Sequence, residues 1–151
     1  MHHSQEELLT HLNRMSQGTT IDMLNIKIVS AEQDRIVGTM PIGPHQRQVS
    51  GYLHGGVSVV LAETLASLGS MLSIDTDTQL AFGLEINANH LRSKREGIVT
   101  GVATAIHKGR TTHIWDIKIS DEQDKLICVS RCTVAVVQKP VDNEQVHHES
   151  P

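Results

Sequence analysis

The spacing of apolar positions changes several times along the chain. Leu8, Leu9, Leu12 and Met15 recur at helical spacing behind Ser4-Gln5-Glu6-Glu7, which has the form of a capping box. A short amphipathic helix is expected there, ended by Gly18. β-Branched residues on either side of Ala31-Glu32-Gln33-Asp34 predict a first hairpin, with strands at 22–29 and 35–40. Pro41, Gly43 and Pro44 break the pattern, and 45–52 (HQRQVSGY) reads as a polar loop. The stretch 54–74 then opens with His-Gly-Gly and continues as a long apolar run, which predicts a helix over 56–74. After Asp75-Thr76-Asp77-Thr78 the period falls to two. Leu84, Ile86 and Ala88 share one face, and Glu85, Asn87 and Asn89 the other. A charged turn (92–97) separates this strand from another at 98–107, and Lys108-Gly109-Arg110 makes a tight turn. Thr111, His113, Trp115, Ile117 and Ile119 alternate with Thr112, Ile114, Asp116, Lys118 and Ser120, and a last long strand runs from Lys125 to about Val137.

Five or six long strands joined by short turns make an antiparallel sheet, and such a sheet needs one apolar face covered. The 56–74 helix is the only element long and apolar enough to cover it. The expected class is therefore α+β, a curved antiparallel sheet around one central helix. A single domain over 1–138 is expected, followed by a polar tail at 139–151 that reads as disordered.

Composition narrows the function. Tyr52, Phe82 and Trp115 are the only aromatic residues, so stacking platforms for single-stranded nucleic acid are missing. The formal net charge of −4 gives no basic footprint for nucleic acid. No secretory signal and no membrane span is read in the chain, so a cytoplasmic protein is expected. Cys128 and Cys132 sit four apart on one predicted strand face, too far apart to bond each other, so free thiols are expected. The ten histidines show no paired metal-ligand spacing, so no metal is expected.

Between Gly55 and Ile74 the one charged residue is Glu63. A carboxylate within a helix meant for burial is costly without a purpose. Two readings stay open: a residue at the helix rim reaching solvent, or a functional carboxylate acting as general base or nucleophile. Ser67 lies one turn on. Gly55 and Gly56 open the helix, whose first free N–H groups carry the positive end of its dipole and suit a developing oxyanion. Gly55 stands two turns before Glu63, and both are expected to face one cleft.

Gln48, the run HGGVSVVLAETLAS and the run GLEINANHLRS together resemble hotdog-fold acyl-CoA thioesterases. The likeness is to the branch acting on 4-hydroxybenzoyl-CoA and 1,4-dihydroxy-2-naphthoyl-CoA, and it covers about 22–137. It implies a long helix wrapped by a curved antiparallel sheet. It implies roles too: Glu63 as catalytic carboxylate, Gly55 as the amide that polarises the thioester carbonyl, and Gln48 as a polar side chain from the preceding loop. His54 is implied near the thioester or the leaving sulfur, and Ser67 as a hydroxyl orienting water or Glu63. Substrate or CoA contacts are implied at Gly83, His90, Leu91, Arg92 and Ser93, and at His107, Lys108, Gly109, Arg110, Thr111 and Thr112. Arg92, Lys94 and Arg95 form one basic cluster for the CoA phosphates and Lys108 with Arg110 another, while both also read as ordinary solvated turns. The resemblance implies an acyl-CoA substrate, no cofactor beyond the coenzyme A of that substrate, and a homo-oligomer with a shared active site, a dimer of dimers. A non-catalytic acyl-CoA-binding module is the alternative, and it has no need of Glu63.

Overall fold

The structure, a computed structural model, describes residues 4–140. Most of the expected polar tail, from 141 on, lies outside the described residues. Helix α1 (Gln5–Met15) begins at Ser4, whose hydroxyl accepts from the Glu7 N–H while the Glu7 carboxylate accepts from the Ser4 N–H. The capping box of the sequence is therefore formed. A single helical turn, α2 (Thr20–Met23), follows, then β1 (Lys27–Glu32) and β2 (Arg35–Pro41). The first strand starts five residues later than the pattern predicts. Thr19 caps the Ile21 N–H, Asp22 accepts from the Gly18 N–H, and Asn25 adopts a positive φ of 55°. Local side-chain bonds to the backbone win over β propensity there.

A 3-10 turn at Pro44–Gln46 leads through an irregular loop to helix α3 (Gly55–Met71). Strands β3 (Gln79–His90), β4 (Ile98–Lys108), β5 (Thr112–Ser120) and β6 (Leu126–Gln138) complete the chain. All six strands form one antiparallel sheet in the order β1-β2-β4-β5-β6-β3. The chain passes from β2 through α3 to the far edge, so β3 is one edge strand and β1 the other.

Helix α3 lies on the inner face. Ser58, Leu61, Ala62, Leu65, Ala66, Gly69 and Ser70 form its buried stripe, at the three- and four-residue steps of one helix face. Against that stripe pack Ile36, Val99, Ala103, Trp115, Ile117, Cys128, Cys132 and Val134. Trp115 donates from Nε1 to Ser70 Oγ at 2.8 Å, and Gly69 leaves room for its ring. Both cysteines are free and buried beneath α3. Burial first, then the charges of Glu63 and Glu85, push the Cys132 thiol up to about 12.

The two sheet edges differ. On β1, the Asn13 side chain accepts from the Ile28 N–H and donates to the Ile28 carbonyl, both at 2.9 Å. This amide of α1 takes up the outward backbone groups of Ile28, as a neighbouring strand would. On β3, Phe82 and Leu84 are exposed at 55% and 68%. The expected face of Leu84, Ile86 and Ala88 is broken here. The ladder to β6 shifts between Gly83 and Glu85, and Leu84 is the extra residue, out of phase with Ile86.

His113 is buried on β5, and its Nδ1 has no hydrogen-bond partner among the described residues. Burial, with the nearby charges of Lys108 and His107, holds its pKa below the ordinary 6.5, against a hydrogen bond with the Gly109 backbone that raises it. The unfolded chain then binds the proton more readily than the folded one. Stability from this residue is present above about pH 6.5 and is lost as pH falls through that value toward the folded pKa. Denaturant midpoints from pH 7.5 to 5 should fall for the wild type and fall less for His113→Gln; parallel curves would contradict this.

Candidate functional site

Helix α3 begins at His54, whose backbone is extended (φ −70°, ψ 125°). Its Nδ1 accepts from the Gly56 N–H at 2.9 Å, which requires the ring proton to sit on Nε2. Val57 and Ser58 both donate to the His54 carbonyl. Of the first four helical amides, Gly55 alone has no acceptor among the described residues. This N–H is the free donor at the positive end of the dipole. The imidazole of His90, the last residue of β3, lies over Gly55: a Cβ there would sit 2.6 Å from Nε2.

A cavity of about 340 Å³ opens beside this helix start. It brings together the expected residues Gln48, Gly55, His90, Leu91, Arg92 and Ser93. Tyr52, Leu53, Ser58 and Ile127 also line it and were not among the expected positions. The sequence did carry one signal for Ser58, a hydroxyl on the buried stripe one turn beyond His54. The Gln48 side chain turns back on its own loop, where its Oε1 accepts from the Ser50 N–H.

Glu63 is not in this cavity. It stands eight residues beyond Gly55, which places it about 12 Å along the helix and about 80° around it. The expectation that both face one cleft is therefore not met within a single chain. Glu63 is half-buried on the flank of the buried stripe. Its carboxylate lies against Gly83 of β3, where a Cβ would overlap Oε1. Ser67 is half-buried one turn on, without a hydrogen bond to Glu63.

The remaining expected contacts divide the same way. His107, Lys108, Gly109, Arg110, Thr111 and Thr112 form the β4–β5 turn, beside Ala135 of β6. His90 pairs with Cys128 of β6, so the two groups are about 23 Å apart along that strand. Lys108 is not a free cation, since its Nζ is 2.5 Å from Asp34 and also meets the Gln33 carbonyl and Ser73. Gly109 gives room to the His107 ring, and Arg110 is exposed. Among the described residues, no three metal-binding side chains come together. No helix there is long and apolar enough to cross a membrane.

A sequence profile of the thioesterase superfamily matches residues 50–128, which include the helix start, Glu63 and β3. The chain belongs to the thioesterase superfamily. It is 53% identical over 118 residues to a 1,4-dihydroxy-2-naphthoyl-CoA hydrolase of Listeria monocytogenes, covering 78% of this chain and 95% of that protein. It is 43% identical over 129 residues to the enzyme of the same name in Escherichia coli, covering 85% and 94%. A thioesterase structure from Haemophilus influenzae superposes with a TM-score of 0.84 at 40% identity, covering 95% of this chain and 96% of that one. A mutant thioesterase from Pseudomonas aeruginosa gives 0.85 at 45%, covering 87% and 94%. The six-stranded sheet around α3 is accordingly the hotdog fold, and this thioesterase is a hydrolase of thioester bonds.

Within the thioesterase, chemistry-bearing groups thus collect at two separate places along one helix. The start of α3 offers a free amide, Gln48 and a cavity. Its middle offers a carboxylate without a hydrogen-bond or ion-pair partner among the described residues.

Proposed function

We propose that this thioesterase hydrolyses an acyl-CoA to the free acid and coenzyme A, with an acyl group that is aromatic or of medium chain length. A dihydroxynaphthoyl group is the sharpest choice, which suits a role in quinone synthesis; a hydroxybenzoyl group is of the same chemical type. The two relatives named as 1,4-dihydroxy-2-naphthoyl-CoA hydrolases support the choice. The single observation that carries the mechanism is the free Gly55 amide at the dipole end of α3, facing the cavity beside Gln48. A thioester carbonyl placed there receives the Gly55 N–H as its charge develops. Glu63 acts as nucleophile, or as general base on water. Water's oxygen ends on the carbonyl carbon, the C–S bond breaks, and the thiolate leaves and takes up the proton. A thiolate leaves readily, so an oxyanion donor and one carboxylate suffice.

The site is completed by a second copy of the chain. β3 is an open edge with two exposed apolar residues, Phe82 and Leu84. Antiparallel pairing of this edge with its own copy about a two-fold axis sets the Gly83 end of one strand beside the His90 end of the other. That places Glu63, which lies against Gly83, toward the partner's Gly55 amide. His54 orders the amide end, and Ser67 supports the carboxylate end. The two dimers pair further into a tetramer, and the enzyme works in the cytoplasm.

A panel of aryl and alkyl acyl-CoA substrates, followed by release of free thiol, tests the substrate class. Turnover is expected to be highest for naphthoyl and benzoyl thioesters, with activity on medium chains. No turnover above background on any of them would overturn the reading.

A further inference from the structure

Arg92, Lys94 and Arg95 are one basic run in the sequence, yet the fold sends them three ways. Arg92 lines the cavity. Lys94 Nζ is 2.7 Å from Glu122 and 3.7 Å from Asp121, so it is spent on the β5–β6 turn. Arg95 folds back across Tyr52, its guanidinium carbon 4.2 Å from the ring centroid.

The backbone around this stack joins the two walls of the cavity. The Leu53 N–H donates to the Lys94 carbonyl at 2.7 Å, and Arg47 Nε donates to the Arg95 carbonyl at 2.8 Å. The loop of Gln48 is itself tight. The Gln48 N–H donates to the Tyr52 carbonyl at 2.8 Å, and the Gln48 carbonyl accepts from Gly51 at 2.9 Å. Gly51 has a φ of +84°, with Arg95 packed against it. Tyr52 and Gln48 are the two ends of one turn, so a shift of the tyrosine moves the glutamine.

We propose that Arg95 and Tyr52 form a clamp that holds the Gln48 turn beside the Gly55 amide. Arg95 is then a positioning residue and not a ligand for the CoA phosphates. The inference rests on the thioesterase mechanism proposed above. A guanidinium over an aromatic face is attracted by the ring's negative charge density, and its flat shape restrains the loop beneath. The loop has no regular structure of its own beyond one bridge between Arg47 and Leu53. It therefore depends on such ties to stay in place.

The test uses the full chain and two substrates, a benzoyl-CoA thioester and the benzoyl thioester of N-acetylcysteamine, which has no nucleotide. Arg95→Ala and Tyr52→Leu are each expected to lower kcat about 10-fold on both substrates, with KM little changed. The double variant should be no worse than the poorer single one, and Tyr52→Phe, which keeps the ring face, should lose less kcat than Tyr52→Leu. Arg95 is exposed, so its removal leaves the core intact; unfolding midpoints check that the variants are folded at the assay temperature. Arg95→Gln gives a second, milder variant.

A raised KM on the CoA thioester alone, strengthening as salt is lowered, would make Arg95 a phosphate ligand and overturn the clamp. Wild-type kinetics for Arg95→Ala, or additive losses in the double variant, would overturn it too. The parent reading fails separately: full activity in Glu63→Gln removes the mechanism, whatever Arg95 does.

Discussion

The Glu63→Gln enzyme is expected to hydrolyse thioesters more slowly than the wild type by at least about 10²–10³-fold, the loss typical of one transition-state contact. The substitution keeps the size of the side chain and removes the base or nucleophile. The fold should not suffer. Glu63 sits on the flank of α3's buried stripe, outside the packing of Leu61, Ala62 and Leu65. It makes no ion pair or hydrogen bond within the described chain whose loss would unfold it. KM should change little, since the carboxylate acts on the reacting carbon and does not grip the coenzyme. Unchanged kcat in a folded Glu63→Gln protein would remove the carboxylate from the mechanism. The close approach of Glu63 to Gly83 gives a related expectation. A methyl at Gly83 overlaps Oε1, so the carboxylate must swing away from β3. Gly83 belongs to the site through that contact and has no side chain of its own to offer substrate.

Gly55→Pro should cost about 10²–10³-fold in kcat, because it deletes the single unbonded amide at the start of α3. Several local facts favour a folded product. Proline is well suited to the first helical position, whose N–H has no intrahelical acceptor. The preceding residue must be extended, and His54 already is, with ψ 125°. The one obstacle is the His90 ring above Gly55, and it is exposed and free to turn aside. Gly55→Ala meets the same ring while keeping the N–H, so it separates the effect of bulk from the effect of the donor. If proline and alanine give equal kinetics, the amide has no part in polarising the carbonyl.

Much of the fold was legible because the periods were clear. The stripe from Ser58 to Ser70 follows helical steps, and β5 and β6 alternate over long stretches that the structure keeps. The failures have local causes. At 22–25 the side chains of Thr19 and Asp22 bond the backbone into a helical turn, which hydropathy does not register. At Leu84 a bulge shifts the phase of the strand, and alternation alone shows no extra residue. The candidate residues could be named from the sequence, but their grouping in space could not. Gln48, Gly55 and 90–93 do share one cavity. Glu63 and the 107–112 turn lie at the other end, because eight helical residues span too far for one cleft. The run 92–95 reads in the sequence as one basic cluster, and the fold sends its members to different partners. Which of them is free depends on Glu122 and Tyr52, distant in sequence and adjacent only after folding.

In the proposed mechanism one copy's Glu63 works with another copy's Gly55 amide. Co-expression of the two inactive variants, Glu63→Gln and Gly55→Pro, tests it most directly. Each mixed dimer then holds one site with both groups intact and one with neither. Activity of the purified mixture should recover to about a quarter of wild type, since half of randomly paired subunits form mixed dimers with one working site of two. A mixture no more active than its separate variants, with mixed dimers shown by mass spectrometry, would contradict the shared site.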